Sequence, residues 1–294
     1  MNRVANGLGN VVERFTRWTG IKRLVDARAD ARREKLAAEL LADTEIIVKS
    51  FMRQDSLLRF VRSVRRFYPT LPIRVVDDSS KMTPDGEAVK AAQGVTWHSM
   101  PFDSGLPGGR NLAVRQSRAK YVVVCDDDYE FTTDTDLAAL LLPLHASNID
   151  LCGGLVRMDG KVAQNWCGRL SFQESRGKRT IRMRADRLVE EEIEGVRVYR
   201  TDITYNFFAA RRAVLAAYPW DERYKITCEH LDSFLTWKMA GVRVAYTVDC
   251  VCNHVHSGDA AYQQKRKRNT SDLLLKKWQA SGRTTAPITR FPGI

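Results

Sequence analysis

The hydrophobic pattern of the chain changes near residue 43. Before that point, apolar side chains recur among arginines and lysines at near-helical spacing, as at Phe15, Trp18 and Ile21. After it, short apolar runs alternate with amphipathic segments, beginning with the run 45–48. Strands that alternate with helices are typical of an α/β fold with a parallel sheet. The pattern therefore predicts a helical N-terminal appendage over 1–43 and an α/β domain after it.

A continuous apolar run at 121–125 predicts a strand that is buried on both faces of the sheet. Further strands are predicted at 73–76, 95–98, 151–156 and 242–248, helices at 56–67, 111–117, 137–144 and 229–240, and a strand plus helix at 204–217. Residues 169–200 are dense in Arg and Glu and predict a hairpin or insertion on the rim. We expect a doubly wound α/β domain over 44–262.

The last segment, 263–294, predicts a basic tail. Up to residue 283 it holds seven Lys or Arg against Asp272 alone. The whole chain carries 47 Lys and Arg against 35 Asp and Glu, a net charge of +12. This surplus favours an anionic partner such as a nucleotide, a nucleic acid or an acidic membrane face.

The cysteines and the hydropathy indicate the compartment. None of the six cysteines belongs to a C-x-x-C pair, and most lie in apolar runs, as small core residues do. No stretch reaches the roughly 18 apolar residues that span a bilayer, and the basic N-terminus lacks the apolar segment of a standard signal peptide. These features predict a reduced, cytoplasmic protein and exclude a small disulfide-bonded scaffold.

Three consecutive carboxylates, Asp126, Asp127 and Asp128, directly follow the apolar run 121–125. Open α/β sheets bind ligands at the carboxyl ends of their strands, and adjacent negative charges repel one another unless cations or solvent neutralise them. Hard oxygen ligands favour Mg²⁺ or Mn²⁺, which then bridges a diphosphate. We interpret the acidic triad as a divalent-metal site, with a solvated acidic turn as the structural alternative.

A second acidic pair, Asp77 and Asp78, ends the predicted strand 73–76, where it suits either one side of a nucleoside site or an ordinary turn. Between the two acidic clusters, the glycine-rich segment 104–111 leads into a predicted helix. Its backbone N–H groups and the guanidinium of Arg110 suit a phosphate. The segment matches neither the P-loop nor the dinucleotide-binding fingerprint, which disfavours an ATPase and a dehydrogenase.

Two acids and a histidine late in the chain complete the candidates. Glu229 and Asp232 lie three residues apart on one face of a predicted helix. A carboxylate there either takes a proton from an acceptor hydroxyl or complements the helix dipole. His254 follows a predicted strand, and an isolated histidine is usually structural. Because the acidic triad lacks a third protein ligand, metal binding is an equal alternative for His254.

Taken in order, these motifs resemble nucleotide-sugar glycosyltransferases of the GT-A fold, specifically the ganglioside-synthesising β-1,4-N-acetylgalactosaminyltransferases and their bacterial relatives. The segments that carry the resemblance are 49–53, 63–69, 77–79, 100–102, 108–114, 121–131, 150–154, 206–211, 230–232 and 253–254. The resemblance implies a Rossmann-like, doubly wound mixed sheet. It also implies an inverting enzyme that transfers a sugar, typically GalNAc, from a UDP-sugar with the help of Mn²⁺ or Mg²⁺.

The resemblance assigns roles to individual residues. Nucleotide contacts are expected from Arg53, Asp77, Asp78, Arg110, Asn111, Asp126 and Asp127, with Arg53 and Asp78 at the uracil end. The expected metal ligands are Asp126, Asp128 and His254. The donor sugar is expected beside Gly153, Gly154 and Asn206. The base is expected to be Asp232 or Glu229, with His230 as a further alternative, because many enzymes of this fold place the base directly after a Glu.

The implied acceptor is a glycan or lipid-linked glycan in bacterial surface polysaccharide synthesis, such as capsule or lipopolysaccharide. The basic ends predict contact with the inner face of the plasma membrane, with Phe15, Trp18 and Ile21 in the interface. Packing of the N-terminal helix on the domain, or against a second subunit, is the alternative. Two rival functions stay open: a nucleotidyltransferase that activates a sugar phosphate, and a basic nucleic-acid-binding protein, which would lack the usual aromatic signatures.

Overall fold

The computed structural model describes residues 30–158, 160–162, 167–184, 188–256 and 260–285. Two compact units divide the chain, Met1–Glu39 and Leu40–Ile294. In chain order the elements are α1 (30–42), β1 (Thr44–Ser50), α2 (Gln54–Phe67), β2 (Ile73–Asp77), α3 (Pro84–Lys90), β3 (Val95–Ser99), α4 (Leu106–Gln116), β4 (Tyr121–Asp126), β5 (Tyr129–Phe131), α5 (Ala138–Ala146), β6 (Leu151–Met158), β7 (Lys161–Val162), β8 (Arg169–Ser175), β9 (Lys178–Arg184), β10 (Val189–Ile193), β11 (Val196–Thr201), β12 (Phe208–Arg211), α6 (Arg212–Ala217), α7 (Glu229–Met239), β13 (Val244–His254), α8 (Ala260–Arg266), α9 (Ser271–Lys277) and β14 (Gly282–Thr285).

The main sheet is mixed. Within the described residues it has eleven strands, and its principal order is β10-β11-β13-β6-β12-β4-β1-β2-β3. β4, β1, β2 and β3 run parallel to one another, whereas β12 runs antiparallel between β4 and β6. The predicted α/β fold with a mixed sheet is confirmed.

The centre of the sheet is apolar on both faces. In β4, Val122, Val123 and Val124 are fully buried, as a parallel strand covered by helices requires. One of the covering helices is α2, which buries Leu57, Phe60, Val61 and Val64 at the i, i+3, i+4, i+7 spacing of an amphipathic helix.

The parallel register brings the carboxyl ends of the central strands together. In the β1–β4 pair Lys49 is opposite Asp126, and in the β1–β2 pair Ser50 is opposite Asp77. The two acidic clusters therefore lie at the same edge of the sheet, which is the edge where open α/β sheets bind ligands.

The helix after the glycine-rich segment begins earlier than its sequence pattern predicts. α4 starts at Leu106 rather than at Asn111, with Pro107 in its first turn and Gly105 before it at φ 98°. Proline suits the first turn of a helix and glycine tolerates a positive φ. A Cβ on Gly105 would also lie 2.8 Å from Cα of Lys225. The glycines and the proline thus belong to the helix entry rather than to a long loop.

Residues 260–285 pack on the domain and do not form the separate basic tail expected from residue 263. Leu274 is fully buried in the main core, the ring of Trp278 contacts Phe172 at 5.7 Å, and β14 pairs in parallel with β9. Apolar side chains interspersed among the lysines cause this packing. The predicted rim insertion at 169–200 consists of the hairpins β8–β9 and β10–β11.

Three further expectations concern the termini and the cysteines. Of the predicted appendage over 1–43, Phe15, Trp18 and Ile21 lie outside the described residues, while residues 30–42 form α1. Among the described helices, none combines the length and the apolar character needed to traverse a bilayer. All six cysteines are free thiols, and only Cys228 is not fully buried.

Candidate functional site

A cavity of about 130 Å³ lies at the carboxyl ends of β1 and β4. Elements distant in sequence supply its wall: the end of β13, the start of α7, and α8 with the residues that follow it. The predicted site residues that line it are Arg53, Asp126, Asp127, Asp128, Asn206, Glu229 and His254. The fold therefore assembles one polar cavity from residues that the sequence spreads over some two hundred positions.

Each carboxylate of the acidic triad has a fixed cationic partner. Asp126 is bound by Arg110 at 2.6 Å, and 27% of its side chain is exposed. Asp127 is buried, accepts a hydrogen bond from Ser50 at 2.8 Å and pairs with Arg53. Burial outweighs the charge of Arg53 and raises the pKa of Asp127 to about 6. The expected repulsion between the three acids is offset by protein cations.

Asp128 is held ionised by two cationic partners. Its Oδ2 accepts hydrogen bonds from Arg53 at 2.5 Å and from Nε2 of His254 at 3.0 Å. Burial alone raises the pKa of Asp128, but His254 and Arg53 outweigh it and lower this pKa to about 2. The same contact raises the pKa of His254 despite its desolvation. Pairing of β5 with β13, Tyr129 opposite His254, holds the two side chains together.

Arg53 lies beside the acidic triad rather than beside Asp78. Besides its ion pairs, its guanidinium stacks on the ring of Tyr262 at 4.3 Å. Asp78 is fully buried outside the cavity lining, where it pairs with Lys49 at 2.5 Å and accepts the N–H of Gly105 at 2.9 Å. Arg53 and Asp78 therefore have separate partners in the structure.

Two other predicted nucleotide contacts bind the protein itself. Asp77 accepts hydrogen bonds from Gln54 at 2.9 Å and Ser79 at 2.7 Å, and burial raises its pKa. The amide of Asn111 exchanges two hydrogen bonds with the backbone of Trp220, at 2.8 and 3.0 Å. Neither side chain lines the cavity, so both stabilise the walls behind it.

The two glycines expected at the donor sugar accommodate protein atoms instead. A Cβ on Gly153 would lie 2.0 Å from Oγ1 of Thr204, and a Cβ on Gly154 would lie 2.6 Å from Cε1 of Phe207. The close neighbour of each glycine is a side chain of the segment before β12. Asn206 does line the cavity, and its amide Nδ2 is 3.4 Å from Asp126.

The structure separates the candidate bases. Glu229 lines the cavity at the first turn of α7, directly after Cys228, which has a left-handed φ of 59°. Asp232 is 1% exposed and is bound by Lys277 at 2.7 Å and by Trp278 at 2.8 Å, outside the cavity lining. Its partners come from the segment that was expected to be a basic tail.

His230, the third candidate base, contacts Asn206. Its Nδ1 is 2.8 Å from Oδ1 of Asn206. Burial and the charge of Arg110 lower the pKa of His230 to about 3. Its ring is therefore neutral near pH 7 and is a weak proton acceptor.

Residues 45–208 match glycosyl transferase family 2. The chain belongs to glycosyl transferase family 2. The predicted resemblance to GT-A glycosyltransferases is thereby confirmed for the domain, and with it the expectation of a glycosyltransferase enzyme. The nucleotidyltransferase and nucleic-acid-binding alternatives find no support.

Two relatives that are similar in sequence are both named beta-1,4 N-acetylgalactosaminyltransferases. The family 2 chain is 35% identical over 210 residues to beta-1,4 N-acetylgalactosaminyltransferase 1 of Homo sapiens, covering 71% of this chain and 38% of that protein. It is 34% identical over 112 residues to beta-1,4 N-acetylgalactosaminyltransferase 2 of Mus musculus, covering 38% of this chain and 21% of that protein. The chain thus spans about two fifths of the length of the first relative.

Solved structures share the fold at lower identity. GalNAc-T7, crystallised with UDP, GalNAc and Mn²⁺, superposes with a TM-score of 0.53 at 15% identity, covering 72% of this chain and 44% of that one. S. aureus TarS 1–349 in complex with UDP-GlcNAc gives a TM-score of 0.53 at 14% identity, covering 74% and 59%. These similarities establish the fold of the family 2 domain.

The predicted metal ligands are assembled in part. Among the described residues, no three His, Cys, Asp or Glu side chains are arranged as a ready metal centre. Asp128 and His254 do meet at 3.0 Å, while Asp126, in the same cavity, turns to Arg110. Magnesium-like ions commonly take one or two carboxylates and complete their shell with substrate phosphates and water. A carboxylate–imidazole pair in a polar cavity fits such an ion.

Several residues that line the cavity escaped the sequence analysis. Lys49 is only 8% exposed, and this burial lowers its pKa. The sequence feature that could have indicated Lys49 is a lysine inside the apolar run of β1. Tyr262, Lys265 and Arg268 line the cavity from the segment taken for a tail. Their arrangement depends on tertiary packing, and no local pattern marks them.

Proposed function

We propose that this chain transfers a sugar from a UDP-sugar to a hydroxyl group of an acceptor, with both reactants meeting in the cavity at the ends of β1 and β4. The observation that carries the proposal is the acidic triad in a cavity that Glu229 also lines, in a chain whose residues 45–208 match glycosyl transferase family 2. UDP or a UDP-sugar occupies two structures of the same fold, which supports UDP as the nucleotide.

Glu229 is the proposed base. Its carboxylate takes the proton of the acceptor hydroxyl, the hydroxyl oxygen attacks C1 of the sugar, and the bond between C1 and the diphosphate oxygen breaks with its electrons on UDP. This single displacement inverts the configuration at C1. General-base catalysis of this kind contributes about 10²–10⁴-fold to the rate. Support for Glu229 over Asp232 comes from its place in the cavity lining.

Asp128 and His254, with Asp126 beside them, are the proposed ligands of Mn²⁺ or Mg²⁺. When bound, the ion stabilises the negative charge that develops on the departing diphosphate. Arg53 orients Asp127 and Asp128 toward the cavity through its two ion pairs. Asn206 and Arg110 fix Asp126 in the same way from the other side.

The proposed donor sugar is GalNAc, supported by the relatives named as N-acetylgalactosaminyltransferases. A screen of UDP-GalNAc, UDP-GlcNAc, UDP-Gal and UDP-glucuronic acid with Mn²⁺, read as UDP released by slow transfer to water, tests donor and reaction together. We expect UDP release that is fastest with UDP-GalNAc and is abolished by EDTA. Incubation with UTP and sugar phosphates is the counter-assay, because release of pyrophosphate there would contradict sugar transfer.

The proposed acceptor is a glycan or lipid-linked glycan of the bacterial cell surface, reached at the cytoplasmic face of the membrane. The support is the net charge of +12, since basic residues are attracted to anionic lipid surfaces. Flotation with anionic vesicles at low and high salt tests the membrane contact. Lys267 is exposed and suits charge reversal in this test, whereas Lys265 and Arg268 line the cavity. Equal behaviour on neutral vesicles would contradict the membrane contact.

A further inference from the structure

The rim of the cavity carries a cluster of cations that the proposed mechanism does not use. Lys225, Lys265 and Arg268 line the cavity around Asp103, which lies between β3 and α4. Arg268 donates hydrogen bonds to both carboxylate oxygens of Asp103, one of them at 3.0 Å. Nζ of Lys225 donates to the backbone carbonyl of Asp103 at 2.7 Å. These hydrogen bonds from Arg268, with the charges of Lys225 and Lys265, lower the pKa of Asp103.

The charge balance at the rim differs from that of the acidic triad. In the triad, three carboxylates face Arg53, Arg110 and His254. At the rim, three cations act on one carboxylate: Arg268 binds it, and the charges of Lys225 and Lys265 lower its pKa. Arginine binds carboxylates and phosphates in the same bidentate geometry. The rim is therefore suited to an anion with more charge than Asp103 carries.

The cavity is small for the whole of a UDP-sugar. Its volume is about 130 Å³, whereas sites for drug-sized ligands have roughly 300–1,000 Å³. Asp103 and Arg268 belong to segments 165 residues apart, and both side chains line the cavity. A UDP-sugar is larger than this volume, so part of it would lie at the rim, beside Asp103 and Arg268.

We propose that Asp103 is a built-in substitute for the diphosphate of the donor: its carboxylate occupies an anion subsite formed by Arg268, Lys225 and Lys265, and donor binding exchanges it for diphosphate oxygens. This inference rests on the proposed function. It makes Asp103 a competitor that weakens nucleotide binding and makes Arg268 a binding residue. The cluster would recognise the diphosphate and leave the uridine unrecognised.

Calorimetric titration of the full chain with UDP and with uridine, at fixed Mn²⁺ and ionic strength, tests the exchange. The Asp103→Asn variant is expected to bind UDP about twofold to fivefold more tightly than the wild type, because it lacks the partly exposed ion pair that competes with the diphosphate. Arg268→Gln is expected to weaken UDP binding at least as much and to leave uridine binding unchanged. In the double variant the gain from Asp103→Asn disappears, because the freed subsite has lost its arginine.

The matched control is Asp134→Asn, which breaks an exposed pair with Arg157 of 2.6 Å outside the cavity lining and should leave both titrations unchanged. If Arg268→Gln lowers the thermal unfolding midpoint, Lys265→Gln replaces it. Unchanged or weaker UDP binding by Asp103→Asn, or equal losses for UDP and uridine by Arg268→Gln, overturns the exchange. A wild-type chain that binds no UDP overturns the proposed function as well, so the two failures are distinguishable.

Discussion

The buried ion pair of Lys49 and Asp78 offers the clearest quantitative prediction. The two side chains are 7% and 0% exposed and 2.5 Å apart. Removing one partner of such a pair leaves a buried charge uncompensated, which typically costs about 3–5 kcal/mol. Burial already lowers the pKa of Lys49, so part of this cost is relieved by deprotonation. Asp78→Asn, which keeps an acceptor for the N–H of Gly105, is therefore expected to destabilise the chain by about 3 kcal/mol.

Urea unfolding monitored by tryptophan fluorescence measures the loss, and thermal unfolding should shift by about 6–12 °C for a domain of this size. The double variant Lys49→Met, Asp78→Asn removes the unpaired charge and should recover most of the loss, because replacing both partners of a buried pair is often neutral. Asp134→Asn, in an exposed pair, should cost less than about 0.5 kcal/mol. A loss below about 1 kcal/mol for Asp78→Asn, or no recovery in the double variant, would refute the reasoning.

Three further predictions follow from the site and its walls. Glu229→Gln should lower kcat about 10²–10⁴-fold with an unchanged unfolding midpoint, whereas Asp232→Asn should mainly lower that midpoint; the reverse pattern would identify Asp232 as the base. Folded His230 has a pKa of about 3, below its unfolded value of about 6.5, so its own contribution to stability should fall from pH 6.5 to 5, by at most about 1.4 kcal/mol per unit. The raised pKa of Asp127, about 6, acts in the opposite direction, so the comparison of the wild type with His230→Gln isolates the contribution of His230. His230→Gln should flatten that decline, and an equal slope would contradict it. Gly153→Ala should destabilise by about 1–3 kcal/mol, because its Cβ meets Thr204 at 2.0 Å; wild-type urea stability would refute the clash.

Local signals sufficed where one segment determines its own structure. The apolar run at 121–125 predicts a buried strand, and β4 is buried along that run. The acids that follow it lie at the ligand-binding edge because a parallel sheet aligns the ends of its strands. The start of α4 was missed because proline and glycine usually indicate loops. Gly109 is in fact required for packing, since a Cβ there would lie 2.4 Å from Cγ of Lys49.

Long-range pairing explains the remaining differences. The count of charges predicts a basic tail at the end of the chain. In the structure, Lys277 binds Asp232, 45 residues away in the sequence, and Arg268 binds Asp103, 165 residues away. Such distant partners determine whether a carboxylate lines the cavity or pairs with a lysine. The spacing of residues within one segment does not predict them. Glu229 and Asp232 looked equivalent on one helix face for this reason, and tertiary packing separates them.

The most direct test of the account is a crystal structure of the chain with UDP and Mn²⁺, with the manganese located by its anomalous signal. The account predicts UDP in the cavity at the ends of β1 and β4, manganese on Asp128 and His254, and diphosphate oxygens on Arg268 in place of Asp103. UDP bound away from this cavity, or manganese bound without contact to the acidic triad, would contradict the proposed site of sugar transfer.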